Sequence, residues 1–225
     1  GVQRLSGRRV VEDAVGENTV VRLSTGGLNF VDLQAARGVG PQVAENAAAT
    51  AAFSQDLEAL GIPYLYVNAP QKLQRGEALL PTGVEEYGNE SADAFLAELE
   101  RRGTDYVDLR PLFEENGIYS NWFFRTDHHW NNRGSYLGYT QVMALLGRTD
   151  VLEPIEEVDL GYTFSGSKAI SAGATNVFTE PFTAYQFDFA PETITVNGQP
   201  AADYGAQAAY FAHQPETISY GMFYG

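Results

Sequence analysis

Apolar positions along the first two-thirds of the chain switch between a period of two and a period near 3.6, so short strands and helices are expected to alternate. Thr19–Leu23 is a β-prone run that enters a Ser-Thr-Gly-Gly turn. Residues 41–60 carry an alanine-rich helical pattern from Pro41 to the Gly61-Ile62-Pro63 break. Ile62–Val67 follows as a compact apolar strand, with a loop signal at Asn68-Ala69-Pro70. A second helix begins at Ser91, sets Ala92, Phe95, Leu96 and Leu99 on one face, and stops at Gly103. Tyr106–Leu109 is another buried strand, ended by Arg110-Pro111. Asn131-Asn132 is the expected N-cap of a third helix, Arg133–Leu146, which ends at Gly147.

This order is the βα alternation of a parallel sheet covered by helices. Such sheets hold ligands at the carboxyl ends of their strands, so the loops after Val67 and Leu109 are where chemistry is expected. Beyond about residue 150 the pattern changes. Tyr185–Phe189 and Thr193–Val196 are β-type, and Asn197-Gly198 is a hairpin signal. The reading is one domain over residues 1–225, with an α/β part over about 20–150 and a β-rich part over about 151–225.

Charge narrows the partners. Fourteen Lys and Arg against 29 Asp and Glu give a net charge of -15, which repels phosphate backbones and argues against nucleic acid as a partner. There is no cysteine, so disulfides, thiolate metal sites and cysteine nucleophiles are excluded. No apolar run approaches the ~20 residues that cross a bilayer. The start, Gly1-Val2-Gln3-Arg4, has neither initiator Met nor signal-peptide core, as in a processed or trimmed product. The aromatic ending Tyr220–Gly225 leads to the expectation that the polypeptide continues.

The segment Arg125-Thr126-Asp127-His128-His129-Trp130 concentrates the chemistry. A carboxylate two positions before an imidazole can bond its Nδ1, fix the tautomer and stabilise the imidazolium, leaving Nε2 to accept a proton. Asp127 is therefore the candidate orienting acid and His129 the candidate general base. His128 is read as a supporting or solvent-facing residue, Arg125 as a salt-bridged loop anchor, Lys72 as an exposed lysine and His213 as a loop residue. Ser24, Ser165, Ser167 and Ser171 are read as turn serines, and none is named as nucleophile.

The string Phe124–Tyr136, centred on Asp127-His128-His129-Trp130, resembles the signature of the bacterial DHHW protein family. It is similar to the equivalent segment of the alginate O-acetyltransferase group of SGNH-hydrolase-like proteins. Gly134 falls five residues after His129, as in that pattern, and Trp130 stands where proline is usual. Gly27-Leu28-Asn29-Phe30 and Asn68-Ala69-Pro70-Gln71-Lys72 resemble two earlier blocks, so the likeness spans roughly residues 20–225.

The resemblance implies an α/β fold: a flavodoxin-like sheet of SGNH-hydrolase type with helices on both faces and a β-rich C-terminal excursion, incomplete at its C-terminus. It implies an esterase or O-acetyltransferase acting on cell-surface or exported polysaccharide, extracytoplasmic, with no metal or other cofactor. A membrane-associated acetyl-donor protein is an implied partner. Asp127 and His129 would be two members of a Ser-His-Asp triad, and the Asn68 loop a candidate oxyanion-hole donor by position. The family's serine lies downstream in an Asp-Ser turn, yet no Asp-Ser dipeptide occurs here, so the nucleophile is expected outside this chain. Two alternatives stand beside this reading. One is a non-catalytic carbohydrate-binding or envelope-assembly module. The other is a metallophosphoesterase of the Asp-His-His type, although no Asp-x-Asp is present to complete a two-metal site.

Overall fold

The computed structural model describes residues 10–12, 19–31, 40, 42–174, 177–187, 195–196 and 199–200. His213 and the aromatic ending lie outside them.

Two strands, β4 (Tyr66–Asn68) and β5 (Tyr106–Asp108), pair in parallel with Val67 opposite Val107. Because strand side chains alternate faces, this pair is sealed on both sides. Tyr66 and Tyr106 pack with Ala47, Leu96 and Leu99 of helices α1 (Gln42–Ala59) and α2 (Gly88–Arg101). Val67 and Val107 instead join Leu109, Phe113, Phe123 and Trp130, between α3 (Arg110–Glu115), a 3-10 turn (Tyr119–Trp122) and α4 (Asn132–Leu145). Helices therefore cover both faces of this α/β core.

Three strands precede it as an antiparallel sheet: β1 (Val10–Glu12), β2 (Thr19–Arg22) and β3 (Leu28–Val31). Val20, Leu28 and Phe30 turn toward α5 (Ser167–Ser171), whereas Val21 and Val31 pack with Leu73. The region after residue 150 forms a long antiparallel pair, β6 (Pro154–Phe164) and β7 (Glu180–Phe187). It closes on Phe124 through Leu160, Phe182 and Ala184. The expected β-rich excursion is present, and α5 interrupts it between its two strands. Strands β8 (Thr195–Val196) and β9 (Gln199–Pro200) pair with Val196 opposite Gln199, as the hairpin signal anticipates; Asn197 and Gly198 lie outside the described residues.

The expected helix stops are built alike. Gly61, Gly103 and Gly147 take φ of 73, 74 and 64°. The residue after each donates back to a carbonyl five positions earlier, as Ile62 does to Leu57 at 2.9 Å. That bond corrects one boundary. The strand expected from Ile62 begins only at Tyr66, because the Ile62 amide belongs to the helix end and Pro63 has no N–H. A second correction concerns Arg110-Pro111, which ends β5 but also opens α3 with proline in its first turn.

Gly134 sits where no side chain fits. A Cβ there would lie 2.4 Å from the Trp122 carbonyl oxygen and 3.0 Å from Trp130 Cβ. Gly134→Ala is expected to destabilise the fold by about 2–4 kcal/mol, since the obstruction is backbone. Urea denaturation measures it, and a loss under about 0.5 kcal/mol would contradict the packing.

Candidate active site

The central string occupies a loop between Phe123 and Trp130, which face each other as an antiparallel bridge. The Phe124 amide donates to the His129 carbonyl at 3.1 Å, and the Asn131 amide to the Trp122 carbonyl at 2.9 Å. Trp130 stacks on Phe113 at 6.0 Å and 16° and lies against Gly138. Asn131 then caps α4, its side chain accepting from the Arg133 and Gly134 amides at 3.1 Å each, as anticipated. The loop's exit is thus fixed by an aromatic wedge and a helix cap.

Its interior is held by Lys72. The side chain is buried, not exposed as expected. Its Nζ donates to the carbonyls of Leu28, Phe124, Arg125 and Asp127 at 2.7, 2.6, 3.0 and 2.7 Å. Burial pushes the ammonium down to about 7, while Glu180 and Asp127 pull it back. Four converging carbonyl dipoles also favour the charged form, since a neutral amine would aim its lone pair at one of them. Gly27 leaves the space for it: a Cβ there would stand 3.2 Å from Lys72 Cε.

A third brace comes from β7. Glu180 accepts the Arg125 and Thr126 amides at 2.8 Å each and the Thr126 hydroxyl at 2.6 Å. Thr126 Oγ1 in turn accepts the Gly166 amide at 2.9 Å. A Cβ on Gly166 would lie 2.5 Å from Asp127 Cβ and 2.7 Å from the Thr126 carbonyl, so only glycine allows this approach. Arg125 therefore anchors the loop through its peptide group. Its side chain is exposed and forms no ion pair among the described residues.

Held this way, Asp127 is 3% exposed and His129 Nδ1 lies 2.5 Å from its Oδ1. The same oxygen accepts the His128 and His129 amides at 2.7 and 3.1 Å. Oδ2 accepts both the amide and the hydroxyl of Ser167, each at 2.7 Å. Burial alone would raise the Asp127 pKa. The Ser167 and His129 hydrogen bonds outweigh it and hold the carboxyl well below the usual carboxylate range. An ionised Asp127 makes Nδ1 the protonated nitrogen of a neutral His129, which puts the ring's lone pair on Nε2. The His129 side chain is 38% exposed.

Ser167 is the residue that sequence reasoning missed. Its residue type and setting indicate a turn serine, and the only local signal is the glycine before it. Ser165 instead reaches across to β7's approach, donating to the Phe178 carbonyl at 2.9 Å. Asn68, the positional candidate for the oxyanion hole, donates its side-chain amide to Asp108 at 3.0 Å. Asp108 is in turn gripped by buried Arg110, so the loop after Leu109 serves structure, whereas the loop after Val67 reaches the site through Lys72. His128 is exposed and stands 3.1 Å from Asp127 Oδ1. Burial, then Lys168, lower its pKa.

Asp127, His128 and His129 offer three ligand-type atoms within 4.8 Å of one another. Asp127 is not set up as a ligand. Both Asp127 oxygens are already filled by N–H and O–H donors, leaving no lone pair directed at an ion. The neighbouring Lys168 also raises the cost of adding positive charge to His128. The phosphoesterase alternative would therefore have to draw its carboxylate ligands from elsewhere.

Residues 30–216 match a family model described as an SGNH hydrolase-like domain, acetyltransferase AlgX. The chain belongs to this family. No curated protein sequence matches it. Among solved structures it is similar to Bacillus cereus PatB1, with TM-score 0.57 and 19% identity over 76% of this chain and 59% of that one. It is likewise similar to the O-acetyltransferase domain of Pseudomonas putida AlgJ, with TM-score 0.57 and 16% identity over 74% and 63%. A DHHW family protein from Eubacterium siraeum follows at TM-score 0.48 and 17% identity, over 79% and 57%. The chain thus spans about three-fifths of the length of the first two. The first two likenesses show a shared fold.

Two substitutions test the braces. Lys72→Met would leave buried carbonyls without a donor and is expected to cost about 3–5 kcal/mol in urea denaturation at neutral pH. Ser167→Ala removes one donor from an ionised carboxylate and is expected to cost about 1–3 kcal/mol. A depressed carboxyl pKa contributes stability above its unfolded value, near pH 4, and that contribution is lost as pH falls toward the folded value. The Ser167→Ala deficit should therefore hold from pH 7 to about pH 4 and shrink below it. A deficit independent of pH would show that the hydroxyl does not act on Asp127.

Proposed function

We propose that this chain carries the acid–base half of an acyl-transfer site, within an O-acetyltransferase or esterase that works on polysaccharide outside the cytoplasm. The observation that carries the reading is the 2.5 Å contact between His129 Nδ1 and a buried, ionised Asp127. In the proposed reaction a serine Oγ attacks the acetyl carbonyl carbon as His129 removes its proton. Asp127 stabilises the imidazolium, which then protonates the leaving group. The acetyl-serine passes its acyl group to a sugar hydroxyl, or to water, deprotonated in turn by His129.

Ser167 does not fill the nucleophile's place. Its hydroxyl donates to Oδ2 of Asp127, while His129 occupies Oδ1. A nucleophile must instead give its proton to Nε2. In this reading the serine comes from residues outside these 225. An acetyl-donor partner and an extracytoplasmic setting follow from the family resemblance, and the acidic, cysteine-free composition is compatible with both. No helix among the described residues is long and apolar enough to cross a membrane.

Hydrolysis of an aryl acetate by the full-length protein tests the assignment. His129→Ala is expected to lower kcat/KM by about 10²–10⁴-fold, and Asp127→Ala by a comparable factor. Ser167→Ala should lower it by about tenfold or less, the loss of one hydrogen bond to the acid. A sulfonyl fluoride should label a serine other than Ser167. Turnover unchanged in His129→Ala would overturn the acid–base role, and label on Ser167 would overturn the assignment of the nucleophile.

A further inference from the structure

Two neighbouring cavities, one of them against the loop, share Asn132 and Thr183. The nearer, of about 160 Å³, is walled by Phe124, Arg133, Glu157 and Glu180. It touches the loop directly, because Glu180 holds the Arg125 and Thr126 amides. The farther, of about 400 Å³, lies between α4 and β7 against Tyr136, Tyr139, Tyr185 and Phe187. Its rings form one cluster, with Tyr136 at 5.4 Å from Tyr185 and 6.3 Å from Phe187. Asn132, at the junction, follows His129 by three residues, so it stands within roughly 11 Å along the chain. Together the cavities make a trough from the loop toward Phe187, polar at the near end and aromatic at the far end.

We infer that this trough binds the acceptor as an uncharged glycan chain, with the near cavity hydrogen-bonding one sugar and the tyrosines carrying its neighbours. The inference rests on the polysaccharide reading above and adds the substrate's charge class and its path. Carbohydrate presents hydroxyls at its edges and C–H groups on its faces. Carboxylate, amide and guanidinium groups match the edges, and aromatic rings match the faces.

Charge selects the class. Among the described residues that wall the two cavities, Arg133 is the only cation, and it is paired with Glu157 at 2.7 Å. Among the described residues, Glu157 and Glu180 line the near cavity and no charged side chain lines the far one. On a chain of net charge -15, a polyuronate would meet repulsion from these carboxylates at the near end and no compensating cation at the far one. An uncharged chain meets none.

The experiment is a titration of the protein with cellohexaose, an uncharged probe, and with hexagalacturonate, a polyanionic one, followed by calorimetry and NMR. Cellohexaose is expected to bind, and hexagalacturonate at least tenfold more weakly. Tyr136→Ala and Tyr185→Ala should each weaken cellohexaose about tenfold, while Tyr136→Phe and Tyr185→Phe, which keep the ring, should stay within twofold. The phenylalanine variants separate a lost stacking face from a lost fold. Equal or tighter hexagalacturonate binding, failure of both probes to bind, or cellohexaose binding indifferent to the alanine substitutions would each overturn the inference. So would a concentration-dependent dimer abolished by Tyr136→Ala, which would give the trough to a second copy. Because binding is read without turnover, its failure beside intact aryl acetate hydrolysis would sink the trough and leave the acid–base reading standing.

Discussion

The Lys72 ammonium organises the site without standing in its chemistry. Four carbonyl oxygens converge on it, one from β3 and three from the loop that carries Asp127 and His129. A loop that gathers three carbonyls around one point cannot also run as a strand. It needs a buried cation to offset the converging dipoles, and the cation needs those oxygens to offset its own burial. Each makes the other tolerable, so conformation and burial are locked together.

Around that lock the remaining contacts divide by direction. Glu180 takes the outward amides of residues 125 and 126, and Gly166 lets α5 come close enough for Ser167 to reach Asp127. Trp130 and Asn131 fix where the chain leaves. These contacts come from the antiparallel sheet, the β6–β7 pair and the α4 packing, so three separately packed clusters meet at one loop. Motion of the carboxylate would require several of them to yield together. That is a physical basis for a preorganised acid.

Much of this was legible in the sequence, and what was hidden had a common cause. The helices, their glycine stops and the Asn131 cap are set by local chemistry, so a local reading finds them. The Asp127–His129 pair is two positions apart and is legible for the same reason. Lys72 and Ser167 depend on partners 55 and 40 positions away, and their residue types ordinarily mean an exposed lysine and a turn serine. The late start of β4 was hidden differently. Ile62–Val67 is apolar throughout, but the Ile62 amide was already spent on the helix end. Gly27 and Gly166 stood in plain view, and only the structure shows that each makes room for a residue from elsewhere in the chain.

The saturation of Asp127 has a further consequence for the kind of chemistry the loop supports. A carboxylate with open lone pairs beside two imidazoles would be a metal ligand, and the Asp-His-His string taken alone permits that. Here Ser167 and three backbone or ring N–H groups from residues 128 and 129 fill the oxygens. The hydroxyl of Ser167 therefore does two things at once. It keeps the acid ionised, and it closes the coordination sphere that a cation would need. Ionisation of Asp127 then favours Nδ1 as the protonated nitrogen of a neutral His129, which puts the lone pair on Nε2, as the proposed general base requires. The carboxylate oxygen that the string alone would offer a cation is occupied instead by a serine forty residues away.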